Sequence, residues 1–491
     1  MTAARDPVSL DPPAAPEVAL HSTSLRKGQA HRFDIILQLV GAQRGRLPFE
    51  AELTTARVKH RIGRDEPVAV TIAGGGRVAQ LPVSSSMDAF ALQRVIRKGL
   101  EMTDAKRGAR IAIDLRRMPH KRKVLVNAAY GALVWLAPMP VISGRRDLNP
   151  GGAGAVELFG AAGRHFMEQA AHAAAANVLT RWLCTQPGNI LDPDAFVAYA
   201  RHRAQAHALD FEHTSCAELA AKGAGAFAAV AGKAGRGGLV HLRYRCGQRR
   251  AKRYAFVGKG VCYDTGGLNL KPHRSMLGMH ADMAGAAAAL ATVIAAKEMR
   301  AAIDVDAWLA IAENVVSPEA MKPGDIVTAA NGTTIELVHT DAEGRLLLAD
   351  ALHYATKERV DAAITLATLT GSMAVALGTR IGGVAGDPRL VESAIAASHL
   401  SGERLHAFPL PADYRDQLES KVADIAQCAV SSEADHILAA LFLKEFAGKA
   451  PWLHLDLSSS ANKDGLGAVP TDLTGFGASW AVHWLIDHAR H

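Results

Sequence analysis

Two short stretches of this 491-residue chain concentrate residue types that bind cations and move protons. The first is Lys259-Gly-Val-Cys-Tyr-Asp264-Thr-Gly266-Gly267, followed by Lys271 and Asp282. The second is Thr340-Asp341-Ala-Glu343-Gly-Arg345. In an extended segment residues two apart face the same way, so Asp341, Glu343 and Arg345 are expected to project to one side. With Asp264 and Asp282 they would bring together four carboxylates, which repel strongly unless cations intervene. Two divalent ions, about 3.5–4 Å apart, would relieve that repulsion, activate a bridging water and clamp an oxygen that develops charge. An arginine beside them makes sense where an anion must also be held. Taken singly, each residue has a plainer reading. An aspartate near a strand end is ordinarily a cap, Lys259 a solvated lysine, and Arg345 a partner in a surface ion pair. The combination is what points to metal-assisted hydrolysis.

The elements that must position these residues alternate between strand and helix. Tyr254 to Gly258 reads as an apolar strand that delivers Asp264 just beyond its end, where Gly266 and Gly267 let the backbone turn tightly. Asp282 precedes an alanine-rich helix, Met283 to Met299. Val305 to Ala312 and Thr334 to Val338 read as strands, Leu346 to Thr356 as a helix, and Ile364 to Leu369 as a buried strand. Such alternation predicts a central sheet flanked by helices, with function in loops at strand ends. Further upstream, Phe33 to Val40, Val68 to Ile72 and Arg110 to Leu115 read as strands and Ala89 to Glu101 as a helix, an α/β domain of its own. Gly74-Gly75-Gly76 reads as a turn, since a phosphate loop needs better spacing and a following helix. Asn149 to Gly154 is loop-like, and a long helix is expected from Ala155 to Leu183. Asp192 and Pro193 are set as N-cap and first residue of the next helix.

The expected organisation is thus a mobile tail over 1–30, an N-terminal α/β domain over 31–150, a connecting helix over 151–183, and a larger catalytic domain over 184–491 with a central mixed sheet. The length fits more than one domain. Apolar residues make up 49% and charged residues 21% of the chain, enough for a sizeable core. No run of about 18 apolar residues appears, so no membrane span is expected, and residues 1–30 lack the basic start and apolar block of a secretory signal. The five cysteines (Cys184, Cys216, Cys246, Cys262 and Cys428) form no CxxC pair, which fits reduced thiols in the cytosol. No HExxH occurs, so a zinc protease of that kind is not expected. The net charge of +7 is uneven: residues 1–150 hold 24 Lys/Arg against 13 Asp/Glu. That basic excess, with Lys121-Arg122-Lys123, leaves nucleic-acid binding as an alternative to a merely solvated surface.

The motifs resemble those of the leucine aminopeptidase (cytosol aminopeptidase) family of metallopeptidases. VGKGVCYDTGG (257–267), LNLKP (268–272), ADMAGAA (281–287) and TDAEGRLLLADAL (340–352) carry the resemblance, supported by TLATLTGSM (365–373), LAALFLKEF (438–446) and WLHLD (452–456). It covers roughly residues 180–485. It implies that Lys259, Asp264, Asp282 and Glu343 surround one manganese, zinc or magnesium ion, and that Asp264, Asp341 and Glu343 surround a second, more exchangeable one. Lys259 must be neutral to serve as a ligand. Lys271 would stabilise the oxyanion and Arg345 would hold bicarbonate as general base. Thr368, Leu369, Thr370 and Gly371 would line the substrate site, and Met279 the pocket for the first side chain. The implied substrates are peptides with a free, apolar N-terminal residue, and the implied assembly is a cytoplasmic homo-hexamer. A DNA-binding or regulatory protein, or a weakly active paralogue, on the same scaffold is the alternative. The chain departs from the family at His339 (usually asparagine), His280 (usually a basic residue), Ala434-Asp435-His436-Ile437 (usually glycine-alanine-isoleucine-threonine) and Leu457 to Ser460. His339 could crowd the site, add a ligand or alter metal preference.

Overall fold

A computed structural model describes residues 11–41, 47–118, 121–141, 154–232, 235–431 and 433–489. Residues 1–10 of the expected tail, 149–153 of the expected loop and the Lys121 side chain lie outside these. The chain divides into two compact units. The first is assembled from three pieces of chain, Met1–Val178, His399–Gly402 and Lys463–Asp472. The second, larger unit takes Leu179–Ser398, Glu403–Asn462 and Leu473–His491.

In the first unit six strands form one sheet, in the order Glu17–His21, Ala155–Phe159, Arg110–Arg117, Ile35–Val40, Arg77–Pro82 and Val68–Thr71. All neighbours are parallel except the last pair, a hairpin closed by the Gly74 to Gly76 turn. Two corrections fall here. The helix expected from Ala155 is a strand over Ala155–Phe159 followed by a helix over Arg164–Thr185. The sequence AVELF is taken up between two strands, Glu17–His21 and Arg110–Arg117, and that pairing outweighs the helical preference of its alanine and leucine. The tail contributes an edge strand, Glu17–His21, and a turn of 3-10 helix, Lys27–Arg32. Two basic side chains that motivated the nucleic-acid alternative are engaged locally. Lys123 donates to the Met87 carbonyl, and the Arg122 guanidinium lies 4.6 Å from the Phe166 ring centre.

The second unit is built on a mixed eight-stranded sheet. Its order is Leu405–Ala407, Gly382–Gly386, Trp452–Asp456, Ala362–Ala367, Arg253–Asp264, Asp304–Asn314, Gly238–Tyr244 and Asp210–Ser215. The four central strands, Trp452–Asp456 through Asp304–Asn314, run parallel, so their carboxyl ends share one edge of the sheet. Side chains alternate across Arg253–Asp264. Gly258 and Gly260 face the helix Ala284–Glu298, whereas Ala255, Val257 and Val261 join the core around the helix Glu343–Lys357. The first face is exceptionally close. A Cβ on Gly258 would sit 2.4 Å from the Gly285 carbonyl oxygen, and one on Gly285 would sit 2.0 Å from that of Leu366. Only glycine permits this approach, which brings the start of the helix, and Asp282 ahead of it, down onto the strand ends. The stretch His273–Glu298 is long and apolar enough by composition to cross a membrane, but 83% of its most apolar window is buried inside the protein, as in a core helix. On the other face Leu346, Leu347 and Leu348 pack with Phe442 and Phe446 of the helix Asp435–Phe446. A small sheet of Ile326–Thr328, Thr334–Glu336 and Ile425–Ala426 carries the chain towards Asp341. Asp192 caps the helix Pro193–Ala206, its Oδ1 accepting from the Ala195 amide at 2.9 Å.

Candidate active site

The parallel strand ends deliver Asp264 and, on the neighbouring strand, Asn314, whose Nδ2 donates to Asp264 Oδ1 at 2.9 Å. Gly266 and Gly267, both at positive φ, turn the chain back, and the Gly266 amide donates to the same oxygen at 2.8 Å. Asp264 Oδ2 accepts from Lys271 Nζ at 2.9 Å, and the same ammonium contacts Asp341. Five residues earlier on the same strand, Lys259 is 3% exposed and points towards the helix Glu343–Lys357. Its Nζ lies 2.8 Å from both Asp282 Oδ2 and Glu343 Oε1 and donates to the Thr368 carbonyl at 3.0 Å. Thr368 Oγ1 in turn donates to Asp282 Oδ1 at 2.6 Å. Two ammonium groups and four carboxylates thus interleave.

Asp341, Glu343 and Arg345 do not share one extended face as the spacing argument expects. Glu343 is the first residue of a helix, which turns alternate residues well apart. Glu343 therefore faces Lys259, while Arg345 faces elsewhere. Arg345 Nη1 donates to the Gln427 carbonyl at 3.2 Å, and Nη2 contacts both oxygens of Asp435 at 2.8 and 2.9 Å. Between them Gly344 leaves room for the lysine: a Cβ there would come within 2.6 Å of Lys259 Cε and 2.8 Å of Nζ. Gly344→Ala would stabilise an isolated helix by about 1 kcal/mol. Here it is expected instead to displace Lys259 and weaken metal retention by about 10–100-fold. Metal content after dialysis against graded chelator measures this, and unchanged retention would show that Lys259 is not held in this position by that contact.

The electrostatics follow from burial and charge count. Burial alone would lower the Lys259 pKa, but the carboxylates of Asp282, Glu343 and Asp264 outweigh it and hold the ammonium well above the ordinary value. Lys271 behaves alike, raised by Asp264 and Asp341 against its burial. Burial pushes the carboxyls of Glu343 and Asp282 upward, with Lys259 opposing, and raises Asp341 with Lys271 opposing. The neutral Lys259 that ligation requires is thus opposed by the chain's own carboxylates and needs the added charge of cations. Carboxylate oxygens of Asp264, Asp341 and Glu343 lie within 4.8 Å of one another, and the buried Glu343 Oε2 has no hydrogen-bond partner. A set of oxygens and one amine nitrogen, with an unmet buried oxygen, fits divalent manganese, zinc or magnesium.

One cavity of about 610 Å³ collects the predicted residues: the five candidate ligands, Lys271, Arg345, Met279 and all of Thr368 to Gly371. Thr368 and Thr370 contribute side chains as well as backbone, since Thr370 Oγ1 donates to Asp456 Oδ2 at 2.7 Å. Asp456 is fully enclosed, and burial pushes its carboxyl up to about 7. His339 lines the cavity and its Nδ1 accepts from the Asp341 amide at 3.3 Å, so that nitrogen faces backbone. Several participants escape the motif reading. Asn314 ends an apolar strand, and its polar side chain next to the Asp264 register position is the available signal. Gln427 is buried, accepts from the Val338 and His339 amides at 3.0 and 3.1 Å and donates to the Ala342 carbonyl at 3.0 Å, fixing the loop that carries Asp341. Asp435 lies in the segment already noted as unusual.

Comparison with known proteins places the chain in a family. Residues 178–482 match the profile of the cytosol aminopeptidase family, catalytic domain. A probable cytosol aminopeptidase of Synechococcus sp. (strain JA-3-3Ab) is 42% identical over 327 residues, which are 65% of this chain. One from Geobacter sp. (strain M21) is 39% identical over 325 residues. The match spans just under two thirds of the relatives' own lengths, 64% and 66% respectively. The bottromycin maturation enzyme BotP superposes with a TM-score of 0.82 at 31% identity, over 94% of this chain and 100% of BotP. BotP in complex with Mn gives 0.81 at 30%, over 93% and 99%. The chain belongs to the cytosol aminopeptidase family.

Proposed function

We propose that this protein is a metal-dependent aminopeptidase that releases apolar N-terminal residues from peptides. The observation that carries the reading is the single cavity in which Lys259 and four carboxylates meet Lys271 and Arg345. Lys259, Asp264, Asp282 and Glu343 would hold one cation, and Asp264, Asp341 and Glu343 the other. Two bound divalent ions would supply an activated water and polarise the scissile carbonyl. Lys271, whose ammonium contacts Asp264 and Asp341, would offer its charge to the oxygen that gains negative charge. A free α-amine would serve as a further ligand to one of the cations, which an acylated amino terminus could not do, so only an unblocked N-terminal residue would be released. Met279, Leu369 and Leu457 supply apolar lining for a Leu- or Met-like side chain, and the Thr368 to Gly371 backbone would align the peptide. The resemblance reserves Arg345 for bicarbonate, but the guanidinium already holds the Asp435 carboxylate. Cytoplasmic location and a homo-hexamer belong to this proposal; the five free thiols accord with a reducing compartment.

The test is metal-stripped protein reloaded with manganese or zinc and offered Leu-p-nitroanilide and a dipeptide panel. Free N-termini are expected to be cleaved and their N-acetyl counterparts left intact. Equal cleavage of blocked substrates would sink the mechanism.

A further inference from the structure

The Arg345 guanidinium is enclosed, 2% exposed, on the first turn of the helix that begins at Glu343. A buried guanidinium requires a partner. Both oxygens of Asp435 supply it through Nη2, the Gln427 carbonyl occupies Nη1, and Nε is buried without one. Asp435 differs from an inert counter-ion in its exposure. Its side chain is 25% exposed and lines the same cavity as Asp341 and Glu343. Arg345 therefore holds both carboxylate oxygens while part of the side chain stays exposed to that cavity.

The local backbone is shaped to present it. Ala434 caps the helix Asp435–Phe446 at φ 52° and ψ 25°, a left-handed conformation that costs a non-glycine residue about 1–2 kcal/mol. The next residue is fastened from the other side, because the His436 amide donates to Ser372 Oγ at 2.8 Å and its Nδ1 lies 3.1 Å from the same hydroxyl.

We propose that Asp435 is the resident anion of Arg345 and accepts the proton from the attacking water, in place of a dissolved anion such as bicarbonate. The inference rests on the aminopeptidase reading. A water O–H bond breaks as its oxygen bonds the scissile carbonyl carbon, and the proton passes to an Asp435 oxygen. The C–N bond then breaks and that proton moves to the leaving nitrogen. Asp435 ends as a carboxylate, and one water has been added across the bond. Arg345 stays paired throughout and keeps the carboxylate oriented.

The experiment uses the full chain loaded with zinc, in buffer stripped of carbon dioxide, with and without millimolar bicarbonate or formate. Wild-type turnover of Leu-p-nitroanilide is expected to be indifferent to either anion. Asp435→Ala is expected to lose about 10²-fold or more in kcat and to regain at least about tenfold of that with saturating formate or bicarbonate, which can enter the vacated space. Asp435→Asn, which fills the space without charge, is expected to lose as much and regain nothing. Binding is read apart from turnover by the line width of carbon-13 bicarbonate, broadened by the alanine variant and not by wild type. Stimulation of wild type by bicarbonate overturns the proposal, as does an alanine variant that keeps wild-type turnover without anions or that shows neither binding nor rescue. If the alanine variant does not fold, full activity in Asp435→Asn overturns it and a loss in that variant beside an indifferent wild type supports it. Wild type inert towards every free peptide would defeat the aminopeptidase reading instead, and the bicarbonate line widths would still report whether Asp435 occupies Arg345.

Discussion

Glu343→Ala is expected to lower kcat/KM for Leu-p-nitroanilide by about 10³-fold or more, with metal content falling in parallel. The side chain is 1% exposed, faces Lys259 at 2.8 Å and shares a 4.8 Å cluster with Asp264 and Asp341. It is the residue that both proposed cation sites have in common with Asp264. Charge stabilisation by such a centre is worth several kcal/mol in the transition state, and each 1.36 kcal/mol is tenfold in rate. The substitution also leaves Lys259 with one fewer carboxylate to hold its charge. Kinetics on metal-reloaded protein, paired with elemental analysis, separate the two losses. Near-normal turnover with full metal content would refute the assignment.

Asp306→Ala is expected to destabilise the second unit by about 3–5 kcal/mol, the range for breaking a buried ion pair from one side. Asp306 is completely buried within the strand Asp304–Asn314 and accepts from His241 at 2.6 Å, Arg253 at 2.5 Å and Arg245 at 2.9 Å. Burial would raise its carboxyl, but the hydrogen bonds from His241, Arg253 and Arg245 outweigh it and hold the group well below the usual carboxylate range. A carboxylate depressed in the folded state stabilises above its unfolded pKa, about 3.9, and that stability is lost as pH falls below it. The wild-type advantage over Asp306→Ala in urea midpoint should accordingly shrink as pH falls below about 4. Asp306 sits near the opposite end of its strand from Asn314, so turnover per folded molecule should be unchanged. An advantage that stayed constant through acid pH would contradict the ion-pair account.

The second unit was the more legible part of the chain. Apolar runs such as Tyr254 to Gly258 announced the strands, and the Lys259 to Arg345 motifs converge in one cavity because parallel strands end together. What local spacing could not convey was the turn of helix beginning at Glu343, which separates Arg345 from the carboxylates it was expected to accompany. Nor could it convey the partner of that arginine. Asp435 lies 90 residues further on and is brought there by tertiary packing alone. Nor does the motif show that, before any cation binds, three carboxylates around one nitrogen keep the Lys259 ammonium charged. In the first unit Ala155–Phe159 read as helix because the strands that claim it, Glu17–His21 and Arg110–Arg117, are distant in sequence.

The three-piece construction of the first unit sets a schedule for synthesis. Gln93 Nε2 donates to the Ser401 carbonyl at 2.6 Å, and Arg97 donates to the carbonyls of Val469 at 2.8 Å and Asp464 at 2.5 Å. These acceptors belong to His399–Gly402 and Lys463–Asp472, the late pieces of that unit. Domains commonly fold as they leave the ribosome, amino-terminal first. This one cannot finish in that order: its opening 178 residues gain the Ser401, Asp464 and Val469 acceptors only when nearly the whole polypeptide has been made.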